Sequence, residues 1–461
     1  MSIAVLGLLA AAPARADTAS MHATVAGTVA TTDNVFASDV NRDGDIYTQL
    51  RPGVLFAYDA PRMIHELNLE MELLDYAFHN PTGPSLTYRA GYAAFFTPGP
   101  RTDVLVSTSG STGYVNALTS RVSADQGGIA AVPAGAIAVD QADATENVGY
   151  QAGKHTRTAE TIFARYLQSD DNAMMPTRVY SAEVGANLTV EHAWKHDSLG
   201  LVLGGSVLRL ERVAPMAFAG TINGSILLQQ ANPRANVQWR HDVDRRWSTS
   251  LDVGALVLNE YGTDPYNPTT PRAPRTLYPT VGALVAYTEV WGRASVTARH
   301  AVAPNLLLAE NTLDDSIVAQ LALPLPWLGS DRLAQPRLVG LGTIGFDRTQ
   351  LLSEMTAQPF GAFDVARLDV ALAWTPRPGQ TWGVRYEIIY QHGDSTAALL
   401  VPSFYRNTLM VTFALRYPER LRTRVPPTAQ SVRADRRDLA PIGTEPVVID
   451  PAEEAPDNTG P

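Results

Sequence analysis

The stretch Asp39-Val-Asn41-Arg-Asp43-Gly44-Asp45 carries side-chain oxygens at alternate positions, with glycine at the sixth. That is the opening of an EF-hand-type calcium loop, in which Asp39, Asn41, Asp43 and Asp45 would wrap a hard cation. The twelfth position holds Leu50, so the bidentate glutamate is missing. Asp, Asn and Gly are also what a turn demands, and an acidic external loop accounts for the same residues. Histidine chemistry is thinner. The chain has 9 histidines, scattered; His192 and His196 are close in sequence but divide between a strand and a turn, and no glutamate completes a metal motif. No nucleophile and base can be placed at matched positions, so the residues point away from catalysis.

The remaining chemistry lies in charges at alternate positions of extended segments. They are Glu66, Glu70 and Glu72; Glu183 and Glu191; Arg234 and Arg240; Asp252; Arg299; Arg367 and Asp369; and Arg385 and Glu387. Glu and Arg on opposite walls of a water-filled cylinder would set a transverse field that passes hydrophilic solutes and slows apolar ones. The same residues, solvated and paired among themselves, would give no selectivity. The Glu66, Glu70 and Glu72 cluster leans toward cations.

The elements that position these charges are strands. In VYSAEVGANLTVEHAW, Tyr180, Ala182, Val184, Ala186, Leu188, Val190 and Trp194 take one face and Ser181, Glu183, Asn187, Thr189 and Glu191 the other. Side chains alternate along a strand, so one face is greasy and the other wet. The same alternation recurs over Glu66 to Leu73, Gln229 to Arg240 and Trp382 to Gln391, with no comparable helical period. These patterns outrun the usual soluble strand of about five or six residues. Leu73-Leu74 and Val207-Leu208 interrupt the alternation and predict bulges. Pro52 and Pro233 fall inside strand patterns and must occupy tolerated positions.

Turns come in two sizes that largely alternate. Short ones fall at Asp59-Ala60-Pro61, Pro98-Gly99-Pro100, Lys195-His196-Asp197, Asp242 to Arg246, Gly292 and Pro376 to Gln380. Long ones fall at Ala37 to Gly44, His79 to Gly83, Asn116 to Thr145, Tyr261 to Arg275, Thr349 to Ala362 and Asp394 to Phe404. Trp194, Trp239, Trp247, Trp291, Trp327, Trp374 and Trp382, with Tyr58 and Tyr417, lie near the short turns. Indole and phenol rings prefer the membrane–water interface, so they predict an aromatic girdle. Together these features predict an all-β, antiparallel transmembrane β-barrel with short periplasmic turns and long extracellular loops. Unambiguous strands number 16. A further hairpin, Glu146 to Lys154 and Glu160 to Gln168, brings the preferred count to 18; 16 with one very long loop is the alternative.

The 461-residue chain has a net charge of −10 and 45 % hydrophobic residues. After the N-terminus no run of 18 apolar residues occurs, which excludes helical spans but not barrel strands. The negative charge argues against nucleic acid as partner. Only Lys154 and Lys195 are lysines, and there are no cysteines, which removes disulfides and cysteine-ligated metals. Residues 1–16 read as a secretory signal peptide: an apolar run ends at Ala14-Arg15-Ala16, although a basic n-region is missing. The barrel is expected over 17–417. Residues 418–461, rich in Pro, Arg, Asp and Glu, read as a disordered periplasmic tail, with tethering to peptidoglycan or a periplasmic partner as its alternative role.

The strand Tyr405 to Tyr417, with Leu409, Val411, Phe413, Leu415 and Tyr417 alternating outward, resembles the insertion signal read by the barrel-assembly machinery, though here it is followed by further chain. The opening Thr32-Asp33-Asn34-Val35-Phe36 resembles that of the porin-2-like outer-membrane β-barrel family, some of whose members accompany exopolysaccharide export loci. The resemblance implies residence in the bacterial outer membrane, in contact with its lipid, and a channel without cofactors. Three functions are carried forward: passive diffusion of small hydrophilic solutes, exopolysaccharide export with periplasmic components, and a plugged structural or adhesive barrel.

Overall fold

A computed structural model of the chain describes residues 18–35, 37–38, 42–79, 84–115, 137–170, 178–213, 225–244, 246–262, 266, 275–289, 292–306, 308–325, 338–352, 359–377, 379–394 and 403–418. Eighteen strands form one antiparallel sheet. They are β1 (Thr18–Thr32), β2 (Asp45–Ala60), β3 (Met63–Tyr76), β4 (Ser85–Gly99), β5 (Thr102–Val115), β6 (Ile137–Gln151), β7 (Thr156–Ser169), β8 (Arg178–Ala193) and β9 (Asp197–Val213). The second half comprises β10 (Ile226–Asp242), β11 (Trp247–Leu258), β12 (Thr276–Glu289), β13 (Gly292–Asn305), β14 (Glu310–Pro324), β15 (Leu338–Leu352), β16 (Pro359–Arg377), β17 (Gln380–Gly393) and β18 (Phe404–Tyr417). Each pairs with the next, and β1 pairs with β18, so the sheet closes and no strand edge is left free.

The two faces have opposite chemistry, and the apolar one is outside. On β8, Leu188 and Val190 are 48 % and 40 % exposed, while inward-facing Ser181 and Glu183 are 1 % and 5 %. Side chains from adjacent strands align into belts on the outer surface. Across β13 to β17, Val296, Ala319, Ile344, Leu368 and Ile388 are successive cross-strand partners. Ala298, Ile317, Phe346, Ala366 and Tyr390 form the next belt toward the external end. His300, Asp315, Arg348, Asp364 and His392 form the one after that. In this last belt His300 meets Asp315 at 2.6 Å and Arg348 meets Asp364 at 4.0 Å. The hydrocarbon-facing surface therefore ends at a sharp polar line.

The opposite edge of the band is aromatic. Trp374 and Trp382 are direct cross-strand partners, and Trp382 packs on Phe413 at 5.8 Å. Trp247 packs on Tyr287 at 4.7 Å and Trp194 on His192 at 4.8 Å. Trp194, Trp239, Trp247, Trp374, Trp382 and Tyr417 are all exposed outward near the short turns. Trp291 and Trp327 lie outside the described residues.

The Thr32-Asp33-Asn34 motif locks the seam. Asn407 of β18 donates to Asp33 through its backbone at 2.7 Å and its side chain at 2.6 Å. Asn34, fully buried, donates to the Tyr405 carbonyl at 2.9 Å and the Ser38 carbonyl at 2.7 Å, and accepts from the Ser38 amide. Gly27 faces Phe413 across the same seam, and the aromatic ring occupies the space a β-carbon would need.

Several expectations require correction. The ladders of β3 and β9 run through Leu73-Leu74 and Val207-Leu208 without a register shift. Those sites are not bulges. Leu74 and Leu208 point inward and are buried because the lumen itself is apolar at that level. Shifts occur instead at Phe96/Gly99, Leu351/Leu352 and Trp374/Arg377. The segment Asn116 to Thr145 is not all loop, since β6 begins at Ile137 and β5 reaches Val115. The segment Thr349 to Ala362 is likewise strand at both ends. Alternation of short and long turns also fails once: β13 and β14 are joined at the external end by 306–309 alone, whereas 325–337 link β14 to β15 at the other end. Pro52 sits in a gap of the β2–β3 ladder, and Pro233 just beyond the point where the continuous β10–β11 ladder stops. A missing N–H costs nothing where no ladder bond is made. Residues 1–17 and 419–461, which contain the expected signal peptide and most of the expected tail, lie outside the described residues.

Candidate functional site: the lumen and its internal hairpin

Strand parity turns thirteen charged side chains inward. Glu66, Glu70, Glu72, Glu183, Glu191, Arg234, Arg240, Asp252, Arg299, Arg367, Asp369, Arg385 and Glu387 all lie on the face opposite the exposed apolar residues of their strands. They are grouped by wall rather than spread evenly. Arg385 donates to Asp369 through Nε at 2.9 Å, makes a second contact to the same carboxylate, and lies 3.7 Å from Glu387. Asp369 and Glu387 are direct cross-strand partners, so the guanidinium offsets a like-charge pair. Asp252 accepts from Asn236 at 2.5 Å and Gln238 at 2.8 Å. Arg234 donates to Asn187 at 2.9 Å. Glu72 pairs with Arg89 at 2.8 Å and Glu183 with Arg165 at 3.5 Å. Glu70 accepts from Asn68 at 2.8 Å, and Arg240 pairs with Asp242 at 3.3 Å near the short-turn end.

Toward the external end the interior changes character. Leu208, Leu210, Leu228, Phe363, Val365 and Phe404 point inward and are buried in one cluster that runs from β6 to β10 and from β15 to β18. What buries them includes the tip of the β13–β14 hairpin, whose Leu306, Leu308 and Ala309 belong to the same cluster, with Ala37 from the β1–β2 connection. The hairpin leaves the wall: Ala301, Val302 and Ala303 are all buried, as are Glu310, Asn311 and Thr312. Alternation disappears where both faces of a strand are inside the protein.

Polar contacts hold the tip to β8 and β9, which β10 to β12 separate from the hairpin. Ser181 donates to the Leu306 carbonyl at 2.7 Å and Arg212 Nη1 to the Leu308 carbonyl at 3.1 Å. Arg212 Nη2 pairs with Glu310 at 3.1 Å, with both side chains almost fully buried. The tip is tightly turned: Asn305 accepts from the Leu308 amide at 2.9 Å, and Ala309 has a φ of 53°. Ala37, with a φ of 50°, is the other non-glycine residue in that region among those described. Such backbones cost roughly 1–3 kcal/mol and persist where surrounding packing over-determines them.

Arg212, Glu310 and the 306–309 tip escape a reading by strand pattern, which set Ser181 on the inner face but gave it no partner. The available signal was Pro304-Asn305 followed by three leucines, a turn start running into an apolar segment where a solvated loop was due. The calcium reading loses one ligand. Asp45 accepts from the amides of Ile46, Phe78 and His79 at 2.6, 3.1 and 2.8 Å and meets His79 Nδ1 at 3.2 Å. Its carboxylate, fully buried, is committed to anchoring the β3–β4 connection. Asp39 and Asn41 lie outside the described residues, and no group of metal-ligating side chains occurs among those described. His192 faces the aromatic girdle, where it meets Thr156 at 2.9 Å.

A closed, all-antiparallel barrel with an apolar outer band and a charged interior defines a bacterial outer-membrane β-barrel. Among solved structures the chain is similar to OccAB3 of Acinetobacter baumannii, with 8 % identity, a TM-score of 0.45, and 87 % of this chain and 99 % of that one covered. It is similar also to OpdK of Pseudomonas aeruginosa with vanillate, at 10 % identity, TM-score 0.45 and 86 % and 99 % coverage. A third is OccK2 (OpdF) of the same organism in complex with glucuronate, at 9 % identity, TM-score 0.44 and 87 % and 98 % coverage. No protein-family model and no curated protein matches the chain.

Proposed function

We propose that the protein is a channel for passive diffusion of small hydrophilic solutes across the outer membrane. The observation that carries this reading is the inward charged array, assembled from strands all round the barrel while their alternate residues face hydrocarbon. Burying charge is unfavourable without water or partners, and Arg234, Gln238 and Arg240 remain exposed inside the barrel. The mechanism has no chemical step. The short-turn end supplies a hydrophilic vestibule, and the hairpin tip restricts passage near the external end. Lumen charges bias which ions cross.

A second reading, a plugged structural barrel, draws on the apolar cluster at the hairpin tip. Planar-bilayer recording of the purified, folded chain separates the two. Discrete conductance steps, with swelling of proteoliposomes in pentose but not in long oligosaccharides, support small-solute diffusion. No conductance at any voltage supports the plug. Passage of oligosaccharide with the same barrel would move the assignment to polysaccharide export.

A further inference from the structure

The inner face is not uniformly wet at the short-turn end. On β10 the inward Gln238 and Arg240, close to that end, are exposed. On β1 to β4 the inward side chains close to the same end are covered: His22 is 0 % exposed, Ala57 4 %, Ile64 4 % and Phe95 6 %. Ile64 and Phe95 are cross-strand partners, and Leu105 of β5 packs against them. Neighbours along a wall shield the flanks of an inward side chain, but its tip is left to whatever fills the lumen.

The chain leaving β18 is turned onto this wall. His22 Nδ1 meets the Pro418 carbonyl at 2.7 Å, and its Nε2 meets Ser20 Oγ at 3.0 Å. A carbonyl only accepts, so Nδ1 is the donor. His22 points inward, and this bond brings the chain after Tyr417 toward the lumen rather than away from the barrel.

The residues that follow suit the covered patch. In Glu419-Arg420-Leu421-Arg422-Thr423-Arg424-Val425, an extended chain sets Leu421, Thr423 and Val425 on one side and Arg420, Arg422 and Arg424 on the other. The level of His22 passes through Leu55 and Asn68 to Gly91, and Phe95 lies further along β4 toward the short turn. Strand spacings of about 4.8 Å and a rise of about 3.3 Å per residue put Phe95 about 20 Å from His22. Residues 419–425, extended, span about 23 Å, which is enough to reach it. Glu66 and Glu70, on the same strand face as Ile64, offer counter-charge along the route, which they share with inward Arg416 of β18.

We propose that residues 419–425 lie across the inner face of β1 to β4, with Leu421, Thr423 and Val425 on the Ile64–Phe95 patch, and line the periplasmic mouth with three arginines. These guanidinium groups offset the cation bias of Glu66 and Glu70 at the entrance. The consequence for ions rests on the barrel being an open channel, whereas the contact itself does not.

The chain lacks cysteine, which makes the contact directly testable. In the full chain, Ala93→Cys on the inner face of β4 combined with Val425→Cys should form an intramolecular disulfide under mild oxidation, read by mass spectrometry of proteolytic peptides. Ser250→Cys on the inner face of β11, combined with Val425→Cys, should not. In planar bilayers, replacing Arg420, Arg422 and Arg424 by glutamine should move the zero-current potential toward the potassium equilibrium value. Equal cross-linking from both walls, cross-linking from neither, or a product joining two chains or a different polypeptide overturns the proposal. A conducting glutamine variant with unchanged potential overturns the arginine-lined mouth. If the parent passes no current, the diffusion reading falls and the cross-link alone decides the contact.

Discussion

Arg385 illustrates how a single side chain sets the field inside this barrel. It bridges Asp369 and Glu387, two carboxylates that the register places opposite one another. Replacing it by glutamine leaves that wall more negative. Arg385→Gln is expected to raise cation selectivity, read as a shift of the zero-current potential toward the potassium equilibrium value under a salt gradient. An unchanged potential would mean that this wall does not face the ion path. A different residue-level effect is expected in the turn before β11. Asp244 accepts from the amides of Trp247 and Arg246 at 2.8 and 2.6 Å, and these hydrogen bonds hold its carboxyl below the usual carboxylate range. A depressed folded-state value stabilises the turn above the unfolded value of about 4 and loses that contribution as pH falls through the folded one. Asp244→Asn should therefore lower thermal stability modestly at neutral pH and flatten the acid limb below about pH 4, where the parent has itself lost the contribution.

At the scale of elements, the β13–β14 hairpin is the feature that departs from a plain barrel. Among the described residues its tip is held by the buried ion pair of Arg212 with Glu310 and by bonds to the Leu306 and Leu308 carbonyls. Removing one partner of a buried pair leaves the other charge uncompensated, at a cost of about 3–5 kcal/mol. The hairpin can escape that cost by leaving the lumen. Arg212→Ala is expected to give larger and noisier conductance steps with little loss of barrel content by circular dichroism. Equal conductance in the variant and the parent would show that the tip does not limit flow.

At the scale of the molecule, stability depends on matching the outer band to hydrocarbon. Val411 on β18 is 51 % exposed in the middle of that band. Val411→Arg should destabilise the barrel by about 2–4 kcal/mol, as expected for a cation near the bilayer midplane. Gln238→Arg, on the exposed inner face, should cost far less. Urea unfolding of the two variants refolded into lipid vesicles measures the difference, and equal losses would sink the assignment of the two faces.

Much of the architecture was legible in the residues. Alternation is a local property with a period of two, so Leu188 and Glu191 declare opposite faces before any partner is known. The Trp residues marked one end of the strands because an interfacial ring needs no long-range contact to prefer its depth. The charged set was legible as a face for the same reason, but its pairing was not. Arg385 meets Asp369 only because register places β16 and β17 together. Leu74 and Leu208 looked like bulges because local pattern assumes a wet interior. What lies across the lumen from them is set by distant chain, and the 306–309 tip carries no periodic signature.

The amino-acid order by itself determined the strand class, the outward and inward faces and the short-turn girdle, since each follows from neighbours within a few residues, whereas the seam contacts of Asp33 and Asn34 with Asn407 and Tyr405 join opposite ends of the chain. Only the tertiary structure decided the completed eighteen-strand circuit, the Arg212–Glu310 bridge and the apolar narrowing. These depend on which segments meet across the barrel, and a contact between positions about a hundred residues apart leaves no trace in local periodicity.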